Sequence, residues 1–196
     1  MANSELGQLS GIRELTLNDV TDLQVVAEIL NDPVNAIHFT ESAKGIEDLQ
    51  QLVQNPNYHL LGAYNLDREI VGTLSVVDES RDVNTYLIEK TAIRSDIQNR
   101  GLGREMIEKG IKWAFETPTN QERMRKILVL WVQEDLPGWE RMQAIVYQTG
   151  FLQVVREPDL VVKTIDGIEV EKPSARYHLR RERYEELSIK GKYRTI

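Results

Sequence analysis

Ile127–Val132 reads Ile-Leu-Val-Leu-Trp-Val, six apolar residues without interruption. A strand with one wet face alternates apolar and polar residues. An unbroken run of this length belongs to a central strand buried on both faces. The fold must therefore place helices on both sides of a sheet, and the rest of the chain supplies them. At 196 residues, 41 % hydrophobic and 28 % charged, it has the size and composition of one globular domain.

Ile12–Leu17 is a short β-like stretch behind a frayed N-terminus, residues 1–11. Asn18 or Asp19 can cap a helix whose stripe is Leu23, Val26, Ala27 and Leu30, stopped by Asn31-Asp32-Pro33. Ile46, Leu49, Leu52 and Val53 mark a second helix. Tyr58–Tyr64 and Ile70–Val77 then flank the turn Asn65–Glu69 as an antiparallel pair. Thr85–Ile93 is a third run, interrupted by Glu89 and Lys90. Leu102, Met106, Ile107, Gly110, Ile111 and Ala114 share one helical face.

After the apolar run, Leu136-Pro137-Gly138 breaks the chain before a helix carrying Met142, Ile145 and Val146, with Gly150 placed as its left-handed C-cap. Phe151–Val155 and Ala175–Arg180 read as strands. Between them Asp166-Gly167 centres an extra hairpin, residues 158–173. Residues 181–196 form a polar tail. The order predicts an α/β (α+β) single domain over 1–196, with a mixed central sheet flanked by helices.

Several functions are disfavoured. A net charge of −7 argues against nucleic-acid binding. Without cysteine there are no disulfides, thiolate ligands or thiol nucleophiles, and His38, His59 and His178 lack metal-ligand spacing, so no metal site is expected. MANSELGQLSGI lacks the basic and apolar parts of a signal peptide, and no apolar run nears the roughly 18 residues of a membrane helix. The expectation is a cytoplasmic protein without a membrane partner.

Chemistry concentrates at residues 97–106, IQNRGLGREM. A strand feeding a helix through QNRGLG leaves the first helical N–H groups free, with the positive end of the helix dipole behind them. Glycine lets an anion approach the backbone, and Arg94, Arg100 and Arg104 add positive charge. Phosphate or pyrophosphate is the expected ligand; tight packing at the glycines is the alternative. The spacing fits neither a P-loop nor G-x-G-x-x-G, whose third glycine is Met106 here.

Gln98-Asn99-Arg100-Gly101-Leu102-Gly103 resembles the Q/R-x-x-G-x-G/A signature of the GNAT N-acetyltransferase superfamily. IRELTLNDVTDL is similar to that family's opening strand and helix, EKTAIRSDIQNRGLG to its fourth strand and loop, and AIVYQTGF to its A-x-x-x-Y-x-x-x-G-F-like closing segment. Arg141 stands where an asparagine is common, EDLPGWE is longer than usual, and the Asp-Gly hairpin is additional.

The resemblance implies acetyl-CoA in the cleft between the fourth and fifth strands and direct attack by an amine on its thioester. Ala92, Ile93 and Arg94 would pair with the pantetheine arm. Gln98, Asn99, Arg100, Gly101, Leu102, Gly103 and Arg104 would hold the pyrophosphate. Tyr147 is the expected proton donor to the departing thiolate, since a phenol of pKa about 10 stays protonated where a thiol of about 8.5 begins to ionise. Glu89 is the expected general base, with Asp78 and Glu79 as alternatives. Trp139 and His38 are candidates for an acceptor pocket, and Trp131 is expected in the core.

The implied acceptor is a small-molecule, peptide or protein amine, and an acidic surface suits cationic ones. Tail and hairpin offer homodimer surfaces. A non-catalytic acyl-CoA-binding module on the same fold, and a purely structural domain, are the competing readings.

Overall fold

A computed structural model of the chain describes residues 8–36, 45–78, 84–117, 126–134, 138–165 and 168–193, with backbone alone over 155–172. Its strands are β1 (Leu9–Glu14), β2 (Tyr58–Asn65), β3 (Ile70–Asp78), β4 (Thr85–Ile93), β5 (Ile127–Gln133), β6 (Leu152–Ile165) and β7 (Ile168–Arg180). They form one seven-stranded sheet in the order β1-β2-β3-β4-β5-β7-β6. Every neighbouring pair is antiparallel except β4 and β5, the pair joined by a helical crossover.

The helices are α1 (Val20–Asn31), α2 (Pro33–Ala36), α3 (Ile46–Gln54), α4 (Leu102–Glu116), α5 (Trp139–Gln148) and α6 (Arg181–Ile189). On one face of the sheet, Met106 and Ile107 of α4, Val146 of α5 and Tyr184 of α6 pack on Leu74, Ile88, Leu128 and Leu130. On the other, Leu23, Val26 and Leu30 of α1 and Leu49 of α3 pack on Leu60, Ile70 and Ala92. A Cβ on Gly110 would come within 2.7 Å of Leu74, so α4 presses directly on β3. The run that predicted a covered strand is β5, with Leu128, Val129, Leu130 and Val132 all buried.

Gly150 has φ +95 and ends α5 as expected. Its N–H donates to Tyr147 O at 3.0 Å, and that of Phe151 to Val146 O at 3.2 Å. This double bond pattern closes a helix through a left-handed glycine.

Four local expectations change. β1 begins at Leu9, because its N-terminal half finds partners in β2 up to Asn65. The segment after Asp32 adds a helical turn, α2, since proline is well suited to a first helical position. Much of the tail is helix α6, whose Tyr184 stacks on Phe115 with centroids 4.7 Å apart. The extra hairpin is no separate unit: β6 and β7 are continuous strands, and their outer halves are the arm. Register slips between Glu157 and Val161, where Glu157 pairs with Ser174 and Val161 with Lys172. Pro158 and Pro173 lie within this step, and neither has an N–H to give a ladder.

Candidate active site

β4 and β5 pair only from Thr85 with Ile127 to Ile88 with Leu130. Beyond that point β4 stays with β3 and β5 stays with β7, so a wedge opens between the two parallel strands. The irregularity expected at Glu89 and Lys90 is a bulge: Lys90 has φ +50, and register shifts between Ser75, opposite Glu89, and Thr73, opposite Ala92.

The wedge leads to the glycine segment. After β4 comes a 3-10 turn, Ser95–Ile97, and then Asn99 at φ +66 and Gly101 at φ +86. The first amides of α4 to find acceptors are those of Arg104 and Glu105, both bonding Gly101 O, at 3.1 and 3.2 Å. Among the described residues no acceptor meets the N–H groups of Asn99, Arg100, Gly101, Leu102 or Gly103. A Cβ added at Gly101 or Gly103 would meet nothing within 4 Å. Packing therefore does not require glycine at 103, whereas it does at Gly110. Bare amides, a helix N-terminus and open space in front of them suit a phosphate group.

Side chains from distant elements hold this loop. Gln98 Nε2 donates to Ile93 O and to Asn35 Oδ1, both at 3.0 Å. Asn35 Nδ2 donates to the same Ile93 O at 3.0 Å and to Ile29 O at 2.8 Å. Ser95 Oγ donates to Asp32 Oδ2 at 2.6 Å. From the other side, Arg141 of α5 donates to Asn99 Oδ1, and Arg104 reaches Glu108 at 3.0 Å. The Arg94 guanidinium is engaged by Asp96 at 2.7 Å and holds that carboxyl below its usual range.

The expected cofactor residues thus divide. Asn99 to Gly103 present amides without an acceptor among the described residues, Arg141 reaches the loop at Asn99, and Arg100 and Arg104 lie in or next to it in sequence. Gln98 fastens the loop from behind, Ala92 and Ile93 are buried along the unpaired edge of β4, and Arg94 faces Asp96. Asn35 and Asp32 escaped the sequence reading; the only signal was their place beside a helix-stopping proline.

Glu89 is the first residue beyond the last β4–β5 pair, and Trp131 is its counterpart on β5. Ile88 and Leu130 face α4 and α5, so the pleat turns Glu89 and Trp131 to the α1 side. Glu89 is 38 % exposed and lies 3.6 Å from Lys90 Nζ. Trp131 is half-buried beneath Arg176, whose guanidinium lies 5.4 Å from the ring centroid. This corrects the expected core position: the pleat assigns Leu130 and Val132 inward and leaves Trp131 on the less covered face. Trp139, the first residue of α5, is half-buried against the core. Asp78 ends β3 opposite Tyr86. His38 and Glu79 lie outside the described residues.

Tyr147 is 46 % exposed, and its hydroxyl donates to Gln153 Oε1 of β6 at 2.9 Å. Its ring meets Tyr177 edge-on, with centroids 5.5 Å apart. Gln143, one turn earlier, donates to the Tyr177 hydroxyl at 2.6 Å. Ala144, Tyr147 and Gly150 follow at steps of three, and at 3.6 residues per turn that places the fully buried Val146 inward. Tyr147 instead looks over β7 towards β6, while Arg141 and Gln148 of the same helix reach the loop and Arg104.

A wedge between parallel inner strands, ending on a bare helix start, is an extended cleft closed by an anion site. Residues 23–138 match the family model of the Acetyltransferase (GNAT) family, and the chain belongs to that family. Solved structures share the fold. Spermidine N-acetyltransferase from Vibrio cholerae, in complex with CoA and spermine, aligns at TM-score 0.69 and 14 % identity over 91 % of this chain and 98 % of its own. A putative acetyltransferase from Acinetobacter baylyi aligns at TM-score 0.68 and 17 % identity over 88 % and 93 %. Comparison with curated protein sequences finds no match. Among the described residues no helix is long and apolar enough to cross a membrane.

Proposed function

We propose that this acetyltransferase moves the acetyl group of acetyl-CoA to a primary amine by direct attack on the thioester. The observation that carries the reading is the row of unpartnered amides from Asn99 to Gly103, in open space at the end of the β4–β5 wedge. The fold neighbour in complex with CoA and spermine supports both the donor and an amine acceptor.

In this reading the loop amides, with Arg100, Arg104 and Arg141, bind the pyrophosphate, and the unpaired edge of β4 lines the pantetheine arm. Glu89, at the apex of the wedge on the α1 side, takes the proton that the ammonium must lose. The amine nitrogen bonds to the carbonyl carbon, the C–S bond breaks, and its electron pair leaves as thiolate. A thiol of pKa about 8.5 can take its proton from the attacking nitrogen or from water. Tyr147 would have to release Gln153 and turn across α5 to supply that proton, so the mechanism proposed does not require it.

Calorimetric titration with acetyl-CoA, followed by an assay of thiol release with amines, tests the reading. Tight binding with amine-dependent thiol release is expected. Binding without turnover would leave an acyl-CoA-binding module, and no binding by folded protein would leave the glycines unexplained by this cofactor.

A further inference from the structure

On the α1 side of the sheet, β5 and β7 present a row of donors that the mechanism above does not use. Gln133 is registered with Ser174, and Trp131 with Arg176. Gln133 Nε2, Ser174 Oγ and Arg176 Nε are shielded from solvent and, among the described residues, have no hydrogen-bond partner. Ser174 is fully buried. Arg176 lies over Trp131 and, among the described residues, is paired with no carboxylate. Among the described arginines, Arg13, Arg94, Arg104, Arg181 and Arg183 pair with a carboxylate, and Arg68, Arg100, Arg141 and Arg180, which do not, are exposed to water. In a chain carrying seven more acids than bases, 31 against 24, a half-buried guanidinium left uncompensated is a costly arrangement.

Each of these groups offers an N–H or O–H, and the guanidinium fork matches a carboxylate in a bidentate fashion. Arg176 and Glu89 flank β5 from its two sides; two paired strand spacings would set them about 10 Å apart, and the opening of the wedge at Glu89 sets them farther. We propose that Gln133, Ser174 and Arg176 hold a carboxylate of the acceptor, so that the substrate is an amino acid or peptide whose amine reaches Glu89. The proposal rests on the acetyl-transfer reading for the amine end only. A polyamine would bring a second ammonium up to Arg176, a like-charge contact.

Lysine and cadaverine differ only in the carboxylate and make a matched pair of probes. Calorimetric titration of each into the full chain, with CoA present, is expected to show lysine binding at least ten-fold tighter. Arg176→Gln should bring the two to parity, and Arg176→Lys should restore part of the preference. Gln133→Leu, which leaves the charge in place, should weaken lysine several-fold and leave cadaverine unchanged. Equal or tighter binding of cadaverine, no lysine binding at millimolar concentration, or a preference that survives Arg176→Gln would overturn the proposal. Titration of acetyl-CoA into the same samples separates the two readings. Failure there, with the lysine preference intact, removes acetyl transfer and keeps the carboxylate site; the reverse removes only the site.

Discussion

Gln98 donates to Asn35 Oδ1 at 3.0 Å, and the two amides also converge on the carbonyl of Ile93. Helix α2, the end of β4 and the glycine loop are thereby one hydrogen-bonded unit. Asn35 is 5 % exposed. Its replacement in Asn35→Ala leaves Gln98 half-satisfied and the Ile29 carbonyl without this donor. A loss of about 1–3 kcal/mol is expected in urea unfolding, with weaker acetyl-CoA binding because the loop amides lose their backing.

The two loop glycines should respond in opposite senses. Gly103 lies within the first turn of α4 with open space around it, so Gly103→Ala should raise stability by up to about 1 kcal/mol. The same methyl stands where the pyrophosphate is proposed to lie and should weaken acetyl-CoA at least ten-fold. Gly101→Ala forces a Cβ onto φ +86 and should cost about 1–2 kcal/mol. Parallel denaturation and calorimetry distinguish the pair. Unchanged acetyl-CoA affinity in a stabilised Gly103→Ala protein would remove the pyrophosphate assignment.

Glu89→Gln should lower kcat by about 10²–10⁴-fold, the usual worth of a positioned base, with acetyl-CoA affinity preserved. Tyr147→Phe gives up only the bond to Gln153. In the mechanism proposed no acid is withdrawn, so kcat should change by less than about ten-fold, the equivalent of about 1.4 kcal/mol in the barrier. A Tyr147→Phe loss as large as that of Glu89→Gln would instead show that the hydroxyl turns to the thiolate during turnover.

Tyr184 ties α6 to α4 by donating to Glu116 Oε1 at 2.5 Å. Burial first, and then this carboxylate, push its hydroxyl up from 10.0 to about 12. A raised folded-state value gives stability that is intact below the unfolded pKa and is lost as pH climbs to the folded one. Stability should therefore fall between about pH 10 and pH 12, and less steeply in Tyr184→Phe. At neutral pH that variant should be weaker by about 0.5–1.5 kcal/mol. Denaturation curves at pH 8 and through this window test both statements.

The order of strands and helices was legible because each element carries its own periodicity. The six-residue run of β5 pointed to a covered strand, and the interruption at Glu89 and Lys90 marked where β4 is irregular without showing that the irregularity is a bulge. The turn from β4 through the glycines into α4 was legible too, since its backbone geometry is local to residues 97–106. What stayed hidden depends on partners far along the chain. Asn35 meets Gln98 across 63 positions, Arg141 meets Asn99 across 42, and Arg176 meets Trp131 only because β7 lies beside β5. The side-chain direction of Tyr147 was hidden at short range as well, because one residue along a helix turns a side chain through about a quarter of the circle.

The arm formed by β6 and β7 stands apart from this design. The ladder continues past Ser174 only to Pro173, whose carbonyl accepts from Glu134 N–H at 2.9 Å, and among the described residues β6 and β7 pair only with each other from Val161 to Ile165. A two-stranded ribbon alone is marginal in water, and the proline step at its base interrupts the ladder that would couple it to the sheet. The outer halves of β6 and β7 therefore draw on no third strand for support, and their amides should exchange with solvent before those of the ladder between β5 and β7.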